Sequence, residues 1–87
     1  MQEIIAIPRI EAGGMPILFF PTEPARRGRI VCYAHIGQHA EADIGYYLQS
    51  TRPDKTGVCK DLIAEYEGLG PERCKLILHK TMRSAGI

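Results

Sequence analysis

Two apolar runs, residues 3–10 and 15–20, stand on either side of Glu11-Ala12-Gly13-Gly14, and that arrangement commits the start of the chain to a β-hairpin. The paired glycines accept the positive φ that a tight reversal requires. Met15, Ile17 and Phe19 alternate with Pro16, Leu18 and Phe20, so the second strand is expected to be buried on both faces. Pro16 has no N–H for a ladder, which places it at a strand start or on an edge. Pro8 lies near the end of the first run.

Residues 21–28 hold two prolines and a glycine with no apolar period, and read as a connecting loop. In residues 29–36 the even positions Ile30, Cys32, Ala34 and Ile36 are apolar, while Val31, Tyr33 and His35 occupy the other face of a third strand. Residues 39–50 fit two templates: Ile44, Tyr46 and Leu48 suit a strand, whereas Ala40, Ile44, Tyr47 and Leu48 suit a helix. Adjacent Tyr46 and Tyr47 favour sheet, so this stretch is read as a fourth strand returning through a loop at residues 37–42.

Asp54 and Thr56 then offer N-caps to a helix whose apolar stripe is Val58, Leu62, Tyr66 and Leu69, with Cys59 and Ile63 beside it. Gly68 and Gly70-Pro71 supply its stop signals. Cys74, Leu76 and Leu78 alternate with Lys75, Ile77 and His79 in a last strand, followed by a loose tail at residues 80–87. The order β-β-β-(β)-α-β predicts a single small α+β domain over residues 1–87. It would have two layers, a small antiparallel or mixed sheet with one helix packed on one face. A helix before the last strand lets that strand run parallel to a neighbour.

With 87 residues, a domain buries roughly 60% of the surface its unfolded chain exposes, which leaves little room for an elaborate buried active site. The net charge of +1 removes any global electrostatic case for nucleic acid or an anionic membrane. Cys32, Cys59 and Cys74 are an odd number at wide spacing with no Cys-x-x-Cys pair, so they are expected as buried free thiols. The apolar start lacks a basic region and is too short for a signal peptide or a membrane span, and a reducing, cytoplasmic setting is expected.

The densest set of reactive side chains is His35, His39, Glu41 and Asp43. All four fall on odd positions and would share one face of an extended segment, making them the candidate acid/base groups; His35, His39 and Asp43 are the candidate metal ligands. Two specific motifs are excluded. Ile36 stands where a helical zinc-protease pair carries its glutamate, and the Pro-Cys-x-x-Cys that accompanies a deaminase His-x-Glu is missing. Gly37 interrupts regular geometry within the segment. The favoured expectation for it is a polar turn.

Arg26, Arg27 and Arg29 form a basic cluster, but acidic residues such as Glu23, Asp54, Asp61 and Glu65 are interleaved with the basic ones along the chain. Phe19-Phe20, Leu76-Ile77-Leu78 and the paired tyrosines are generous for a sheet covered by one helix, so a sheet face or an edge is expected to stay open. The chain is therefore expected to be a small accessory or protein-interaction domain without catalytic activity, pairing with itself or another protein and needing no cofactor and no membrane. A small metal- or acid/base-dependent enzyme built on residues 35–43 is the second reading, and nucleic-acid binding the third.

Overall fold

The computed structural model describes residues 2–34, 39–69, 73–84 and 86. His35, Ile36, Gly37 and Gln38, together with the Gly70-Pro71 stop signal, lie outside the described residues. The elements in chain order are β1 Gln2–Glu11, β2 Pro16–Phe20, β3 Arg29–Tyr33, β4 His39–Asp43, α1 Ile44–Ser50, β5 Thr51–Pro53, α2 Lys60–Glu67 and β6 Cys74–Leu78. The architecture is α+β, with a curled sheet in the antiparallel order β4-β3-β2-β1-β5, and β6 parallel to β1.

The hairpin forms as the glycine pair dictates. Glu11 N–H donates to Met15 O at 2.8 Å, Gly14 sits at φ 86°, and Pro16 opens β2 opposite Ile10. Ile17, Leu18, Phe19 and Phe20 are all buried. Alternation along β2 feeds two separate cores. Leu18 and Phe20 pack with Ile4, Ala6, Tyr33, Cys59, Leu62 and Leu76, while Ile17 and Phe19 pack with Ile7, Ile30, Cys32 and Tyr47.

The first core lies under α2. Its stripe is Cys59, Leu62, Ile63 and Tyr66, whereas Val58 and Leu69 at the ends of the expected stripe are exposed. The N-cap is Cys59 rather than the expected Asp54 or Thr56, and Asp54 prepares the helix from a distance: Oδ1 accepts the N–H groups of Thr56, Gly57 and Val58, and Oδ2 accepts Cys59 N–H at 2.8 Å. Gly57 makes the nest possible at φ 83°, a conformation that side chains resist.

The second core corrects one expectation. Residues 39–50 are not one strand, since β4 ends at Asp43 and α1 begins at Ile44, whose N–H donates to Gly28 O at 3.1 Å. The helix wins over the β preference of Tyr46-Tyr47 because its burial is tertiary. Tyr47 meets Phe19 edge-on at 5.0 Å, and the Tyr46 hydroxyl donates to Glu11, a bond that with partial burial pushes the Tyr46 phenol up to about 12. One sheet face is thus occupied by α1, with Met82 packed against the same core, which leaves the edges as the place for the expected open face or edge.

Arg9 is the residue that ties α1 down. Its buried guanidinium lies 4.5 Å over the Tyr47 ring. Nη2 donates to Tyr47 O at 3.2 Å and Thr51 O at 2.7 Å, and Nε donates to Thr51 Oγ1 at 2.9 Å. A cation at a helix C-terminus satisfies the last carbonyls and opposes the helix dipole.

Candidate functional site

On β4 the side chains of His39, Glu41 and Asp43 share one face, opposite Tyr33, Val31 and Arg29 of β3. Residues 39–43 are strand rather than the favoured polar turn, and the loop expected over residues 37–42 does not extend past residue 38. This places three of the four candidates on one face, while His35 lies outside the described residues. Each of the three meets a different partner. The His39 ring lies 5.1 Å from that of Tyr33 and 5.3 Å from that of Tyr66, with Nε2 3.3 Å from the Tyr66 hydroxyl. Glu41 accepts Arg26 Nε at 2.9 Å, and this bond holds its carboxyl below the usual range. Asp43 accepts Arg29 Nη1 at 3.1 Å.

Arg29 does more than pair with Asp43. Ile44 N–H points at β3, so by alternation the odd residues of β4 turn their backbone groups outward, and Arg29 Nη2 donates to outward-facing Glu41 O at 2.7 Å. The outer edge of β4 is thereby blunted by charge and by a side-chain donor. The hollow beside it, about 400 Å³ and lined by Arg26, Val31, His39, Ala40 and Glu41, is shallow. Among the described residues, no group of three or more His, Cys, Asp and Glu is placed to hold a metal ion.

The other edge of the sheet is built differently. Ala6 O accepts His79 N–H at 3.0 Å and Pro8 O accepts Asp54 N–H at 3.4 Å, so β6 and the end of β5 lie along the same side of β1. They meet end to end at Pro8, since β6 pairs with residues 2–6 and β5 with residues 9–11. Proline inside a ten-residue strand is tolerated here because its missing N–H falls in the gap between two neighbours. The gap is a notch of about 660 Å³ whose walls include Pro8, Pro53 and Leu78.

Backbone groups of the even residues of β6 face away from β1. Leu76 N–H is taken by the Glu67 carboxylate at 2.8 Å, but among the described residues no strand pairs with this outer edge. Leu78, next to the notch, is 50% exposed. Lys55, His79 and Lys80 complete the rim. Asp54 also lines it, with both oxygens engaged by the nest; burial raises its pKa, but the bonds from Cys59, Thr56, Val58 and Gly57 N–H outweigh that and lower it overall.

The three cysteines are free. Cys59 is fully buried, its thiol donating to Arg9 O at 3.2 Å, and burial with nearby Asp54 pushes it up to about 11. Burial also raises Cys32 and Cys74, so none has the lowered pKa of a nucleophile. No helix among the described residues is long and apolar enough to cross a membrane.

Sequence reasoning missed Arg9, Asp54 as a nest and the notch at Pro8. A proline inside an apolar strand run was the available signal for the last of these. Comparison with protein-family models, with curated proteins and with solved structures found no match.

Proposed function

We propose that the chain is a small accessory domain that binds protein and has no catalytic role, taking an extended segment of its partner onto the outer edge of β6. The observation that carries this reading is the contrast between the two sheet edges. Each edge carries a side-chain cap, Arg29 on Glu41 O and Glu67 on Leu76 N–H, but β4 is charged along its length whereas β6 ends in half-exposed Leu78 beside an apolar notch. Added strands gain affinity from main-chain hydrogen bonds and specificity from pockets for side chains. Glu41 and Asp43 are held by arginines, which supports a structural rather than an acid/base role for β4. The same pairing engages Arg26 and Arg29, two of the three arginines a nucleic-acid reading would use. The three free thiols support a reducing, cytoplasmic setting.

The test compares the chain with a Leu78→Glu variant as baits, alongside sedimentation velocity over a wide concentration range. Self-association, or a partner retained by the parent chain, that disappears with Leu78→Glu supports the reading. A strictly monomeric chain whose captured proteins are the same for both baits overturns it.

A further inference from the structure

We propose that the notch between β5 and β6 selects an acidic extended peptide, one that places an apolar side chain between Pro8, Pro53 and Leu78 and a carboxylate against Lys55 and Lys80; this rests on the protein-binding reading of the β6 edge. The walls are apolar and the rim is basic. Asp54, the one carboxylate among the lining residues, has both oxygens turned to the backbone N–H groups of residues 56–59, so it does not neutralise the lysines by direct pairing. Among the described residues the ion pairs are Arg26–Glu41 and Arg29–Asp43, and neither lysine belongs to one. Pro8, in the wall, has no N–H to leave unsatisfied when an apolar group enters. An entering carboxylate meets two exposed ammonium groups at the rim, an arrangement that steers association and chooses between partners more than it adds affinity.

A random dodecapeptide library displayed on phage, selected against the full chain at low salt, tests the proposal. Enriched peptides are expected to carry Asp or Glu beside Leu, Ile or Phe. In fluorescence anisotropy the Lys55→Glu/Lys80→Glu variant should weaken such a peptide by roughly tenfold, as expected for two exposed charge pairs turned repulsive. It should gain affinity for the same peptide with its acids replaced by lysine. Neutral or basic consensus peptides, or charge reversal that changes Kd less than twofold, overturn the acidic preference alone if Leu78→Glu still abolishes binding. Displacement of the peptide by a single-stranded oligonucleotide of equal charge also overturns it. If no peptide is enriched, or Leu78→Glu has no effect, the protein-binding reading of this edge falls with it.

Discussion

Replacing Asp54 by alanine should destabilise the domain by about 2–3 kcal/mol. Asp54 accepts four N–H bonds ahead of α2, each worth about 0.5–1.5 kcal/mol net, and leaving the part-buried Cys59 N–H without a partner adds about 1–3 kcal/mol before relaxation. In a domain of this size that corresponds to a fall in Tm of roughly 10–20 °C. Asp54→Asn keeps a carbonyl oxygen for Thr56, Gly57 and Val58 and should cost about 1 kcal/mol. The pH dependence separates charge from shape. Because the folded carboxyl lies below its ordinary 3.8, ionised Asp54 contributes stability that is present above that value and is lost as pH falls through the lower folded pKa. Urea unfolding followed by circular dichroism at pH 7 and at intervals down to pH 2.5 provides the readout. The gap between parent and Asp54→Asn should be constant at neutral pH and close as the acid is protonated. A loss below about 0.5 kcal/mol for Asp54→Ala, or a gap to Asp54→Asn that does not change with pH, would refute the nest as the organiser of α2.

Arg9→Met keeps much of the apolar stem but removes three hydrogen bonds and the contact with the Tyr47 ring, and should cost about 3 kcal/mol. Arg9→Lys should recover only part of this, and amide exchange at Ser50 and Thr51 should rise more than in α2; equal stability of the methionine variant and the parent would refute the tether. Thiol labelling at pH 8 should begin at partly buried Cys74, with Cys59 protected until global unfolding because it is fully buried, the same burial that pushes its thiol up to about 11. Fast native labelling of Cys59 would contradict its place in the core.

The hairpin at Gly13-Gly14, the burial of β2 on both faces and the helix after Asp54 follow from patterns whose causes are local: a turn that needs positive φ, alternation of period two, and an apolar stripe near period 3.6. The same local rules put His39, Glu41 and Asp43 on one face of an extended segment. They did not show that Arg26 and Arg29, from 15 and 14 residues earlier, would engage the two carboxylates. The change to helix at Ile44 was hidden for a related reason. Its stabilising partners, Phe19, Arg9 and Glu11, come from the first hairpin, and no window around residue 44 contains them.

Chain order and alternation alone determined an α+β domain, a β-hairpin start and a helix preceding the last strand. Which edge stays unpaired among the described residues was decided only by tertiary structure, because it depends on β5 and β6 sharing one side of β1 and meeting at Pro8. A proline in a strand is a local fact, but whether its missing N–H weakens a ladder or opens a notch depends on what lies beside it. Here two strands end there, and the gap between them is an opening walled by Pro8, Pro53 and Leu78.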